Sequence, residues 1–266
     1  MKSGDRKKFL TCEKPLLTAM VQAQTPQECK DIILNSIWDG AEAFGIQLEN
    51  LKKEYRKPEI LVDIFASCEG KPIYVTSYRK SNNAGATDEE CAKLLLMASE
   101  CGATLCDIMG DYFHPEPHEL TMDPEAVNKQ KALIEELHKR GSEVLMSTHI
   151  HAFYPEEKVM EIAEAQRERG ADVIKIVNYA ETEDQLMENL NIVYHMKKTL
   201  DRKFLYLANG PYSRLLRQIG PKLGVCMYLC VQSYGPLNSR EQPLLRNLKT
   251  CLLYTSDAAD DLTRVD

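Results

Sequence analysis

No apolar stretch in this sequence is long enough to span a bilayer as a helix, and none has the form of a secretion-signal core. Basic charge is also scarce. Lys and Arg total 33 against 40 Asp and Glu, a net charge of −7. That balance argues against nucleic acid or an anionic membrane as a general partner, so an anionic ligand would need a local cluster of cations. The nine cysteines include no C-x-x-C pair with zinc spacing. They are odd in number and scattered through apparent helices and strands, the pattern of reduced, buried thiols in a cytoplasmic protein. No Gly-rich phosphate turn follows the first strand, which removes support for a dinucleotide-binding sheet. No internal repeat or linker interrupts the chain, so its 266 residues, 44% of them apolar, read as one domain.

What is present is an alternation of strand and helix. The strand candidates are Leu16–Ala23, Ala43–Leu48, Ile73–Tyr78, Leu105–Met109, Val144–His149, Asp172–Val177, Lys203–Ala208 and Val225–Val231. Helices lie between them, and most carry a start or stop signal. Thr25-Pro26-Gln27-Glu28 and Thr87–Glu90 are capping boxes, Asp123 and Thr182 are N-caps, and Gly40, Gly102 and Gly141 are stops. The helix after the seventh strand reads as short, Arg214–Ile219, and a last helix begins at Pro243. Strict βα alternation means a parallel sheet. Eight repeats in this length predict an α/β fold of one domain, a closed eight-stranded parallel β/α (TIM) barrel, whose usual size is about 250 residues. Residues 1–14 read as an N-terminal extension with a frayed polar start, Met1–Lys8, and residues 15–250 as the barrel.

One residue is out of place in this pattern. Lys175 lies among Val173, Ile174, Ile176 and Val177. A buried ammonium is costly, so such a lysine is paired, neutral or chemically employed. On the preceding strand His149 follows Leu145 and Ser147 on one face, and parallel neighbours would point His149 and Lys175 into the same space. A lysine kept neutral by apolar surroundings can attack a ketone to form an imine, and a nearby histidine can then act as base and acid. A β/α barrel carries its site at the C-terminal ends of the strands. There the sequence also places Gln47, Glu49, Arg79, Asp107 or Asp111, His151, Gln232 and Ser233, with Arg214 and Gln242 just beyond. Arg79 and Arg214 are candidates to hold a carboxylate. His149-Ile-His151 has the form of a metal-binding H-x-H, but it falls on the fifth strand with no histidine at later strand ends, so no metal is expected. Asp111, His114, Glu116 and His118 are interrupted by prolines and read as a mobile loop.

Val144-Leu-Met-Ser-Thr-His149, followed after a helix by Gly170-Ala-Asp-Val-Ile-Lys175, resembles the histidine strand and the Schiff-base lysine strand of the type I 3-dehydroquinate dehydratases (3-dehydroquinases). The likeness covers about Pro15 to Thr250. It implies a cytoplasmic lyase of the shikimate pathway that needs no cofactor, acts on a small keto acid and frequently forms homodimers. It implies that Lys175 condenses with the substrate ketone, that His149 serves as base and then acid, and that 3-dehydroshikimate forms as water leaves. Arg79 fits the family's substrate-binding arginine, Ser213-Arg214 its carboxylate-binding arginine and Gln242 the glutamine of its closing loop.

The chain departs from the family elsewhere. Gln47-Leu48-Glu49 stands where the family has Glu-Leu-Arg, Asn83 stands nearest a glutamate, and Met109 takes the place of another. Asn238, beside Ser239, occupies a serine position. These changes leave open a related imine-forming lyase for another cyclic keto acid, or a paralogue without activity. Gln47 and Ser239 are retained as candidate substrate contacts. Cys251-Leu-Leu-Tyr-Thr-Ser-Asp-Ala-Ala-Asp-Asp resembles a translated sequencing adapter. The expectation is that the native chain ends near Thr250, that residues 251–266 carry no function, and that a shortened last helix weakens barrel closure.

Overall fold

The computed structural model describes residues 6–252. Eight parallel strands run β1 Leu16–Val21, β2 Ala43–Gln47, β3 Ile73–Thr76, β4 Leu105–Met109, β5 Glu143–His149, β6 Val173–Tyr179, β7 Lys203–Asn209 and β8 Met227–Cys230. The main helices are α1 Pro26–Trp38, α2 Pro58–Ala66, α3 Asp88–Glu100, α4 Pro124–Lys139, α5 Glu156–Glu168, α6 Glu183–Thr199 and α7 Ser213–Leu223, with a final helical turn pair, α8, at 245–252. The order around the sheet is β7-β6-β5-β4-β3-β2-β1-β8. This is a β/α barrel nearly closed on itself. Among the described residues no ladder joins β7 to β8, and a backbone hydrogen bond from Cys226 N–H to Phe204 C=O (2.9 Å) spans the seam near its lower end. No helix among the described residues is long and apolar enough to cross a membrane. From residue 253 on, the tail expected to be foreign lies outside the described residues.

The signals at the helix ends act as the sequence suggests. Thr25 and Thr87 each accept from the backbone of Glu28 and Glu90, whose carboxylates return the bond, while Asp123 and Thr182 cap α4 and α6. The helix after β7 is longer than expected. Pro221 lies inside it, and the chain continues to Leu223 before Gly224 turns it at φ +133°. A proline loses only its own N–H bond near a helix end, so one more turn survives.

The expected frayed start is corrected from Arg6 on, while Met1–Asp5 lie outside the described residues. Arg6 is buried and donates to Phe65 C=O at 2.7 Å, and Phe9 is buried in the core. The N–H groups of Phe9 and Leu10 donate to the Glu143 carboxylate (2.9 and 3.0 Å) at the start of β5, and Lys203 Nζ donates to Phe9 C=O at the start of β7. The polar residues here satisfy strand ends that would otherwise be exposed, so the segment plugs the lower end of the barrel.

The barrel interior is filled in levels set by register. Ser147 pairs with Lys175 and Lys175 with Leu205, while one step up His149 pairs with Val177. Asp107 pairs with Leu145, one step below. In parallel neighbours, paired residues face the same side. Asp107, Lys175 and His149 therefore rise as three steps from the middle of the barrel to its C-terminal mouth. Gly45, between Met20 on β1 and Tyr74 on β3, leaves the space into which Tyr74 reaches: a Cβ there would lie 2.3 Å from Met20 Sδ and 3.0 Å from the Tyr74 ring.

Candidate active site

Lys175 is 4% exposed and Asp107 is fully buried. Lys175 Nζ lies 3.0 Å from Asp107 Oδ2, 2.5 Å from Tyr78 OH and 3.1 Å from Tyr74 OH. Both phenols also donate to Asp107 Oδ2, Tyr78 at 2.5 Å. The expectation of a neutral lysine in apolar walls is thus corrected: its neighbours are a carboxylate and two hydroxyls. Burial pushes the Asp107 carboxyl up, but the Lys175 ammonium and hydrogen bonds from surrounding hydroxyls outweigh it, and the group lies below its ordinary value. Burial, with Asp107 next, holds both phenols well above the usual tyrosine range, so they stay protonated.

His149 stands at the rim of β5. Its Nδ1 meets Glu119 Oε2 at 2.5 Å, and its backbone N–H donates to the same oxygen at 3.2 Å. A Tyr78–His149 edge contact, with ring centres 5.3 Å apart, links the imidazole to the lysine cluster. Burial lowers the His149 pKa, the Lys175 charge lowers it further, and Glu119 opposes both without cancelling them. The imidazole is therefore a neutral base near pH 7, with its Nδ1 held by a carboxylate.

Glu119 was not among the residues the sequence singled out. It belongs to the Pro/His/Glu loop after β4, which is fastened rather than loose. Arg79 binds Asp88 at 2.8 Å and Asp111 at 2.5 Å, tying the loop to the start of α3. Arg169 and Gln130 hold Gly110 C=O from below, and Thr148 Oγ donates to Glu119 C=O. Glu119 has φ +50°, a left-handed backbone that a non-glycine residue adopts only where contacts impose it. A Cβ on Gly110 would lie 2.6 Å from that same carbonyl, so glycine is needed for the loop to close this tightly. The signal in the sequence was Gly110 after β4, but the return of the loop was not visible there.

Lys175 and His149 border one cavity of about 360 Å³ at the C-terminal mouth. Gln47, Ser239 and Gln242 line it, as do Asn50, Asn209, Lys80, Arg217 and Glu241. Gln47 Oε1 accepts from Gln22 and Asn50, Ser239 donates to Glu241, and Gln242 Oε1 is buried without a partner among the described residues. Two expected cations are elsewhere. Arg214 is exposed outside the cavity and donates to Arg240 C=O at 2.8 Å, because the first turn of α7 points it at the loop before α8. Arg79 serves its two carboxylates and borders a neighbouring depression with His149 and His151 instead.

The departures from the family pattern also find their places. Glu49 is fully buried away from the cavity and accepts from Thr76 Oγ at 2.8 Å, and burial pushes its carboxyl up. Asn83 is buried and engaged with Arg56 and Ser77, so it does not supply a partner for His149. Among the described residues no three His, Cys, Asp or Glu side chains converge as metal ligands.

The ion pair makes a stability prediction. Asp107→Ala strands a buried ammonium and should cost about 3–5 kcal/mol in urea denaturation. Replacing both partners, Asp107→Leu with Lys175→Met, should recover most of that loss. Equal stability of Asp107→Ala and the parent would show that the pair is solvated.

Solved structures share this architecture. The 3-dehydroquinate dehydratase from Geobacillus kaustophilus superposes with a TM-score of 0.77 at 13% identity, covering 92% of each chain. The type I 3-dehydroquinate dehydratase from Clostridium difficile gives 0.75 at 15% identity, over 91% of this chain and 94% of that one. The enzyme from Enterococcus faecalis gives 0.71 at 16%, over 91% and 94%. At such identities the likeness shows the fold. No curated relative matches the sequence. The type I 3-dehydroquinase family model, however, matches residues 19–253. Nearly the whole barrel, including the strands that carry Asp107, His149 and Lys175, falls within that match, and the chain belongs to the type I 3-dehydroquinase family.

Proposed function

We propose that this enzyme dehydrates 3-dehydroquinate to 3-dehydroshikimate through an imine on Lys175. The observation that carries the mechanism is the placement of Lys175 and His149 on one cavity at the barrel mouth, two levels of the same inner face. The amine attacks the ring ketone. The resulting cationic imine acidifies the neighbouring C–H, which neutral His149 removes. The imidazolium then returns its proton to the departing hydroxyl as water leaves, and hydrolysis of the imine frees the product. Glu119 holds the imidazole through Nδ1, so the other ring nitrogen is the one left to work. Gln47, Ser239 and Gln242 offer neutral donors and acceptors suited to ring hydroxyls. The Clostridium difficile structure, described with covalently modified comenic acid, is in keeping with covalent chemistry in such a barrel.

The substrate carboxylate needs a cation, and the structure favours Lys80 over Arg79 and Arg214. Lys80 lies at the cavity rim, its Nζ 5.0 Å from the centre of the Tyr78 ring, and it forms no ion pair among the described residues. Arg217 is the other cation on the wall, but it spends donors on Ala208 C=O and Asn209 Oδ1. Seven thiols are buried, and burial pushes Cys29, Cys68 and Cys106 up to about 12, which suits a chain kept reduced in the cytoplasm.

Borohydride added with 3-dehydroquinate should fix a stable mass on the peptide containing Lys175, and Lys175→Ala should show neither label nor turnover. Labelling at another lysine would refute the mechanism. The acid limb of kcat/KM should fall below 6.5, the ordinary histidine value, since the imidazole must be neutral and its pKa is lowered. Glu119→Gln removes an influence that raises that pKa, so the limb should move to still lower pH; a shift upward would contradict the assignment. Lys80→Ala should raise KM roughly tenfold with imine trapping retained, as expected for a lost charge-assisted hydrogen bond. An unchanged KM would place the carboxylate elsewhere.

A further inference from the structure

We propose that the Tyr78 hydroxyl is the proton relay for imine formation and hydrolysis on Lys175, a catalytic role that rests on the imine reading above. Tyr78 OH is the nearest polar atom to Nζ, at 2.5 Å, and the same hydroxyl reaches Asp107 at 2.5 Å. Both tyrosines line the cavity, but Tyr78 lies just past the end of β3 at its mouth, whereas Tyr74 reaches up from within the strand.

The chemistry requires two proton transfers from nitrogen to oxygen. An ammonium and a ketone give a protonated imine and water, and both protons of that water come from nitrogen. In the first transfer Nζ gives one proton to the phenol oxygen while the phenol proton passes to the carbonyl oxygen. The nitrogen lone pair forms the C–N bond, and the carbon–oxygen π pair becomes the O–H bond. In the second transfer the same hydroxyl takes another proton from nitrogen and gives its own to the carbinolamine oxygen. The nitrogen lone pair forms C=N, the C–O bond breaks, and water leaves. Tyr78 ends unchanged, and nitrogen carries one positive charge at each stage.

Asp107 is fully buried one level below Lys175 and does not line the cavity, so it cannot reach the oxygen of a bound ketone. Its place is to face the nitrogen's persistent charge through Oδ2. His149 is one level higher and held through Nδ1, which leaves it free for the C–H proton. The Tyr78 ring also stands edge-on to that imidazole, so the two proton-transfer groups meet around one bound ring.

The test is quenched-flow trapping with borohydride and 3-dehydroquinate, resolved by mass on the Lys175 peptide. Tyr78→Phe should slow formation of the trapped adduct by roughly a hundredfold, the low end for general acid–base catalysis, and make that step limit kcat. Tyr74→Phe removes a comparable hydrogen bond from the same cluster and should slow trapping less than tenfold. Trapping at the parent rate in Tyr78→Phe, or equal losses in both variants, would overturn the relay. Should Tyr78→Phe not fold, difluorotyrosine at position 78 keeps the shape and lowers the phenol pKa. The alkaline limb of the trapping rate should then move down, and an unmoved limb would refute the proposal. Absence of any adduct in the parent enzyme would instead remove the imine reading itself.

Discussion

A single buried charge pair governs this barrel. Lys175 and Asp107 sit where the interior would otherwise be filled with branched apolar side chains, and each would be intolerable there without the other. Two phenols complete the coordination of Asp107 Oδ2 and reach Nζ as well. The space for one of them comes from a glycine on the neighbouring strand. The pair places the amine among groups able to move protons.

The second constraint is the loop from Gly110 to Asp123. Its path is set by the Arg79 bridges, by Arg169 and Gln130 beneath it, and by close contact of its backbone with Gly110. The result is the left-handed Glu119 presenting its carboxylate to His149. An arginine read as a substrate ligand turns out to brace this loop. The local cost of the Glu119 backbone, of order 1 kcal/mol, is offset by these surrounding bonds.

Charge has been redistributed without leaving the cavity hostile to an anion. Glu49 is an acid where the family has an arginine, yet it is fully buried against Thr76 and does not line the cavity, so it adds no negative wall to the site. Arg56 satisfies Asn83 and nearby carbonyls in the space behind it. Lys80 remains at the rim, over the face of Tyr78.

The sequence by itself determined the strands, nearly all the helix ends, the barrel and the meeting of Lys175 and His149 at one cavity. Those features follow from local period, capping chemistry and the anomaly of one lysine in an apolar strand, all of which act over a few neighbouring residues. Glu119, the partners of Lys175, the outward position of Arg214, the burial of Arg6 and Phe9 and the full length of α7 were settled only in three dimensions. Each depends on where a loop returns or which side chain another strand offers at the same level, as Asp107 does through the register of β4 with β5 and β5 with β6. Such meetings join residues far apart in the chain, and no local periodicity records them.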